Sequence, residues 1–197
     1  MTNDEPISPE NKMIAKYAAQ AFGGKPRVSE YKNASETLSV GILYCEDRPQ
    51  DGLTSYSTIK LSDYPMKWAD GEYPTRLELA GLALSSWKIF PNVLATAAFK
   101  VMHSGGGLYH PGSVITDCVK EHDASITLPH LYLTVPFLWR EDLRTLDCGT
   151  KQVSWLLAVP ISKAEHYFLS QYGDTAFERV LESQSVDFSN PHRPSVF

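Results

Sequence analysis

The chain of 197 residues lacks features that several common classes of protein require. Cysteine is scarce, and Cys45, Cys118 and Cys148 stand far apart without any Cys-x-x-Cys pair. Neither a disulfide framework nor a zinc site is indicated. Positive charge is also in the minority, with 18 Lys and Arg against 23 Asp and Glu and a net charge of −5. Because a nucleic-acid-binding protein needs a cationic surface that displaces counterions, this class is disfavoured.

Targeting and membrane signals are missing as well. Residues 1–10 are acidic and polar, without the basic start and apolar centre of a signal peptide. No apolar run approaches the length of a membrane span, so a cytoplasmic location is expected. The length and the ordinary hydrophobic share of 43% fit one globular domain. We expect a flexible N-terminus at residues 1–8 and a single domain over residues 9–197.

Standard catalytic motifs are absent too. The P-loop and dinucleotide glycine patterns do not occur, and the glycine run after His103 lacks the Gly-x-Ser-x-Gly elbow of a lipase. His103 and His110 stand seven apart, and Cys118 and His122 four apart. These spacings leave open a small metal- or Cys/His-dependent hydrolase. Scattered surface histidines and chance spacing explain the same residues, so we expect no catalytic site, metal or cofactor.

The sequence does predict four helices. Ser8 before Pro9 is typical of an N-cap followed by proline at the first helical position. Ser162 and Glu165 have the spacing of a capping box. The helices are predicted at 9–22 and 91–103, from the Ser162 cap to Gly173, and at 174–184.

Alternating apolar residues predict an antiparallel meander in the first half of the chain. Its strands are expected at 27–31, 38–45, 54–61 and from Arg76 to Leu79, with a hairpin turn at 47–52 and a polar loop at 63–73. Two almost continuous apolar runs, 131–138 and 153–159, indicate central strands covered on both faces. Helices around a mostly antiparallel, mixed sheet define an α+β domain.

Acidic residues are concentrated between Glu46 and Glu72, where six acidic residues stand against three basic ones. Such a face attracts a basic partner over long distances, although a solvated surface is the more usual explanation of this charge pattern. Trp139 ends its apolar run beside charged residues, a position that suits either an interface anchor or the core. The predicted partner-binding residues are Glu46, Asp47, Asp51, Asp63, Asp70, Glu72 and Trp139.

Several segments together resemble the suppressor-of-fused (SUFU) domain family. Each segment alone is a weak signal, but their order and spacing over residues 11–197 make the likeness specific. The segments are Tyr56-Ser57-Thr58-Ile59 with Leu61-Ser62, Arg76-Leu77-Glu78-Leu79, Phe90-Pro91-Asn92, Pro111-Gly112, Pro136-Phe137, Val159-Pro160-Ile161-Ser162 and Arg193-Pro194-Ser195-Val196.

Within that family the chain is most similar to small bacterial antitoxin or immunity proteins of the YqcF-like type. Ala21-Phe22-Gly23-Gly24 and Pro136-Phe137-Leu138-Trp139 carry this closer likeness. Members of this type are encoded beside a secreted toxin, often a nuclease, and neutralise it by binding. The resemblance therefore implies a bacterial binding protein with a cognate toxin as its partner, and no enzymatic activity. An interaction scaffold with a partner that is not a toxin stays an alternative.

Overall fold

The computed structural model describes residues 7–68, 71–104, 109–139 and 141–197. Within these ranges the chain forms an eight-stranded mixed sheet, a separate two-stranded hairpin and four α-helices, as the α+β prediction requires. The helices are α1 (Pro9–Phe22), α2 (Phe90–His103), α3 (Lys163–Tyr172) and α4 (Asp174–Ser183). The strands are β1 (Arg27–Lys32), β2 (Ser39–Glu46), β3 (Leu53–Ile59), β4 (Lys67–Trp68), β5 (Gly71–Glu72), β6 (Thr75–Leu84), β7 (Val114–Ile115), β8 (His130–Thr134), β9 (Leu146–Asp147) and β10 (Gln152–Ile161).

The large sheet combines an antiparallel meander with one parallel pairing. Its strand order is β1-β2-β3-β6-β10-β8-β7, with β9 paired to one end of β10. The predicted meander of β1, β2, β3 and β6 is confirmed, as is the hairpin turn between β2 and β3. β10 lies parallel to β6 and antiparallel to β8, so it joins the two halves of the chain.

Helices cover both faces of this sheet. α2 packs on one face, where Leu156 and Ala158 of β10 point toward it. α1, α3 and α4 pack on the other face, which receives Trp155, Leu157 and Val159 from the same strand. Since both faces of β10 are buried, its apolar run is nearly continuous, as expected for a central strand.

The strand predicted from Arg76 to Leu79 is longer in the structure, from Thr75 to Leu84. Two further segments differ in secondary structure. The strand expected over 131–138 ends at Thr134, because Pro136 has no N–H for the ladder, and a 3₁₀ turn follows at Phe137–Trp139. The polar loop expected over 63–73 contains the small β4–β5 hairpin.

Local capping fixes the starts of α1 and α3 as predicted. Ser8 Oγ accepts a hydrogen bond from Asn11 N at 3.1 Å. In α3 the capping box is present in both directions, since Ser162 Oγ accepts from Glu165 N and Glu165 Oε2 accepts from Ser162 N. Residues 1–6 of the predicted flexible N-terminus lie outside the described ranges. In the described part of the chain, no helix combines the length and apolar character needed to cross a membrane.

Candidate partner-binding site

Three of the predicted acidic residues lie together at the β2–β3 turn. Glu46 is 3.7 Å from the guanidinium of Arg27. Asp47 has a left-handed backbone (φ +55°), and its Oδ1 accepts a hydrogen bond from Gly52 N at 3.0 Å. Asp51 is exposed at the tip of the same turn. This turn therefore presents carboxylates, two of which also have structural roles.

Two further predicted residues lie at the opposite end of β3. Asp63 ends a 3₁₀ turn that follows β3, and Glu72 lies in β5, where it pairs with Arg76 at 2.8 Å. Because β3 contains seven residues, about 20 Å of strand separates this group from the turn. Asp70 lies outside the described residues. The structure thus divides the predicted acidic residues into two groups.

Asp63 is exposed, but it connects to a partly buried polar network that holds its turn in place. Lys151 Nζ lies 2.6 Å from Asp63 Oδ1 and 3.1 Å from Ser62 Oγ. Glu78, which is fully buried in β6, accepts hydrogen bonds from Thr58 Oγ1 at 2.5 Å and from Ser62 N at 3.0 Å. Burial raises the pKa of the Glu78 carboxyl, while these hydrogen bonds oppose the increase. The contacts give Asp63 a structural role in addition to any role in binding.

Trp139 lies in the core, so the expectation of an exposed interface anchor at this position is wrong. Its side chain is 4% exposed, and its ring packs 4.7 Å from that of Phe22 on α1. The 3₁₀ turn after Pro136 directs the indole inward, while Phe137 and Leu138 of the same turn remain exposed. The exposed apolar surface of this segment therefore consists of Phe137 and Leu138, not of Trp139.

Within the ranges that the structure describes, no hydrogen bond joins the cysteine and histidines of the hydrolase alternative to one another. Cys118 is buried, and burial raises the pKa of its thiol to about 12, so the nucleophilic thiolate is suppressed. His122 Nε2 lies 2.8 Å from Thr96 Oγ1. His103 and His110 each bond through Nδ1 to a nearby main-chain carbonyl oxygen, at 2.7 and 2.6 Å. The described residues contain no group of three or more His, Cys, Asp or Glu able to hold a metal ion, and glycines 105–107 lie outside those residues.

A groove that sequence reasoning missed lies between α4, the ends of β8 and β10, and the segment after α4. It has a volume of about 480 Å³. We call it the α4 groove, and the lining residues that define it are Tyr132, Thr134, Val135, Phe137, Glu178, Leu181, Glu182, Val186 and Phe188. Val159 of β10 also lines the groove. The lining therefore comes from three segments that are distant in sequence, and no local sequence motif predicts it.

The floor of the α4 groove is a fixed carboxylate. Glu178 Oε1 accepts hydrogen bonds from Tyr132 Oη at 2.9 Å and from Thr134 Oγ1 at 2.7 Å. Burial, and next the Glu178 carboxylate, raise the pKa of the Tyr132 phenol, so the phenol stays a proton donor. Glu182 lies one helical turn further along α4. Neither glutamate has an ion-pair partner among the described residues.

The mixed sheet and its four helices form the fold of suppressor-of-fused proteins. The family described as Suppressor of fused protein (SUFU) matches residues 36–194, and the chain belongs to this family. A curated relative is the immunity protein YqcF of Bacillus subtilis (strain 168). It is 36% identical over 190 residues, which are 96% of this chain and 98% of that protein. The family resemblance seen in the sequence is confirmed.

Solved structures of low sequence identity share the fold. A putative SUFU homolog from Neisseria gonorrhoeae FA 1090 has a TM-score of 0.70 at 14% identity, over 95% of this chain and 97% of that one. A chain of the Sufu–Fu complex has a TM-score of 0.68 at 15% identity, over 96% and 93%. Drosophila Suppressor of Fused has a TM-score of 0.67 at 15% identity, and the match covers 96% of this chain but 51% of the fly chain.

Proposed function

We propose that this chain is an immunity protein that binds a cognate toxin protein and blocks its activity. The similarity to the immunity protein YqcF carries the proposal, because it extends over nearly the whole length of both chains rather than one motif. One of the solved structures with this fold is the Sufu–Fu complex, and it supports protein binding as a function of the fold. The buried thiol and the locally bonded histidines described above favour binding over catalysis.

A nuclease is our proposal for the class of the toxin. The cleft of a nuclease is cationic because it binds phosphates, and exposed carboxylates complement such a surface. Asp47 and Asp51 are the part of the predicted acidic surface that has no ion-pair partner in the described chain. Arg48 donates to Asp47 O and offsets part of this negative charge. Charges at the exposed rim of an interface act on the rate of association more than on the final affinity, so we expect Asp47 and Asp51 to affect mainly that rate.

Growth protection tests the proposed function. We expect the toxin encoded beside this gene to arrest a susceptible bacterium, and co-expression of this chain to restore growth. The two purified proteins should also co-elute as a stoichiometric complex in size-exclusion chromatography. Growth arrest that persists beside a folded, well-expressed chain, with no complex in the column, would overturn the proposal.

Removing the charge of the β2–β3 turn tests the acidic surface separately. We expect Asp47→Asn with Asp51→Asn to slow association with the toxin about three- to tenfold at low salt, and by less at high salt. Asparagine keeps an Oδ1 acceptor for Gly52 N and tolerates the left-handed backbone at position 47, so the turn is preserved.

Stopped-flow fluorescence measures this association rate. The matched control is Glu10→Gln with Glu30→Gln, which removes the same charge from α1 and β1. Equal association rates for the two double variants would remove the β2–β3 turn from the binding surface.

A further inference from the structure

We propose that the α4 groove is the docking site for a toxin segment that presents an arginine or lysine next to a large apolar residue. The identity of the partner as a toxin rests on the proposed function. The residue types of the segment follow from the chemistry of the groove itself, from its floor, its charge and its walls.

The floor offers a carboxylate that is already oriented. Two hydroxyl donors, from Tyr132 and Thr134, hold Glu178 Oε1 in place. No described residue bonds to the other oxygen, Oε2, which leaves it to accept a hydrogen bond from a partner. Because the carboxylate is fixed before binding, little conformational freedom is lost when a cation reaches it.

The charge of the groove selects a cation. Glu178 and Glu182 are four residues apart on α4, and like charges at this spacing repel each other. Arg179 lies between them in the sequence, but it forms an ion pair with neither. A guanidinium or ammonium group placed beside these carboxylates relieves the repulsion. A phosphate, a nucleotide or an anionic lipid headgroup is repelled by the same two groups.

The walls select an apolar neighbour for that cation. Val135 is 48% exposed and Phe137 is 36% exposed, and the ring of Phe137 lies 5.6 Å from that of Phe188. Exposed apolar groups clustered at a concave site mark a binding surface. The long aliphatic stem of Arg or Lys packs on such walls while its charged head reaches the floor. A volume of about 480 Å³ falls within the range of pockets that bury most of a ligand.

The first experiment measures the affinity for the toxin. In Glu178→Gln the amide oxygen still accepts from Tyr132 and Thr134, but the charge is gone. We expect Glu178→Gln with Glu182→Gln to raise the Kd at least tenfold, mainly through faster dissociation, because a close charge pair is lost. The control Glu10→Gln with Glu30→Gln should bind as the wild type does. Wild-type affinity in the α4 double variant, with its thermal unfolding unchanged, would overturn the docking site.

The second experiment tests, in the absence of the toxin, whether the groove binds a cationic side chain. In ¹⁵N NMR titrations, N-acetyl-Phe-Arg-amide should shift amide resonances of the end of β8, α4 and residues 185–188. The uncharged probe N-acetyl-Phe-Gln-amide should shift them several-fold less, and the α4 double variant should lose the effect. Shifts that are absent, or equal for both probes, overturn the groove chemistry. If the wild type fails to bind the toxin but the Arg probe shifts the groove, the proposed function fails and the cation-binding groove stands.

Discussion

Replacement of Arg193 by alanine is expected to lower the free energy of unfolding by about 3–5 kcal/mol. Arg193 Nη1 lies 2.7 Å from Glu165 Oε1, and Nη2 lies 2.9 Å from Glu165 Oε2. Both side chains are buried, with exposures of 5% and 0%. Removing the guanidinium leaves a carboxylate buried without its counter-charge, and this desolvated charge is the main source of the loss.

The same ion pair joins three parts of the structure. Glu165 accepts hydrogen bonds from Ser162 N at the start of α3 and from Val196 N in the C-terminal segment. Arg193 also donates to Pro160 O in β10 at 2.8 Å. Loss of the pair therefore loosens the attachment of the last residues to the sheet as well as the cap of α3.

Urea unfolding followed by circular dichroism measures the effect. Arg193→Lys keeps the positive charge but not the bidentate geometry. Its free energy of unfolding should therefore lie between those of the wild type and Arg193→Ala. Arg144→Ala is the matched control, because its ion pair with Glu141 is exposed and contributes little. A loss for Arg193→Ala that is no larger than for Arg144→Ala would contradict the expectation.

Gly81→Ala is expected to destabilise the protein by about 1–3 kcal/mol through overpacking. An added Cβ at position 81 in β6 meets Phe90 Cε1 at 2.5 Å and Cζ at 2.7 Å. Phe90 is fully buried and cannot move aside easily, because its ring packs against Tyr56 at 5.1 Å and Trp87 at 5.0 Å. The closeness of helix α2 to the sheet thus depends on the missing side chain.

A double-mutant cycle separates the ring clash from any backbone effect. In the Phe90→Leu background, Gly81→Ala should cost less than in the wild type, as measured by urea unfolding. Gly71→Ala provides the control, since no atom lies within 4 Å of the Cβ it adds. Equal costs of Gly81→Ala in both backgrounds would show that the clash with Phe90 is not the cause.

Features that depend on neighbouring residues can be predicted from this sequence. The caps at Ser8 and Ser162 act within one helical turn, and the β2–β3 hairpin is specified by its own turn residues. The meander follows because successive strands pair with their neighbours. For β10, the continuous apolar run correctly indicates a strand covered on both faces.

The proposed binding surfaces are harder to predict from the sequence. Glu46 and Glu72 belong to the same acidic stretch of the sequence. In the structure β3 lies between them, so they are at opposite ends of that strand. Trp139 follows Pro136, and the direction of a side chain after such a break depends on the turn that the chain then makes. The α4 groove depends on packing between residues 132–137 and α4, which no periodicity encodes.

The parallel pairing of β6 with β10 has a consequence for synthesis on the ribosome. β6 is complete early, but the strand that covers its second edge emerges more than seventy positions later, since Thr75 pairs with Gln152. Until then that edge exposes unpaired N–H and C=O groups, which invite contacts with other chains. Closing so distant a pair is slow compared with forming the meander. We therefore expect the nascent first half to be the stage at which this chain is most exposed to such contacts.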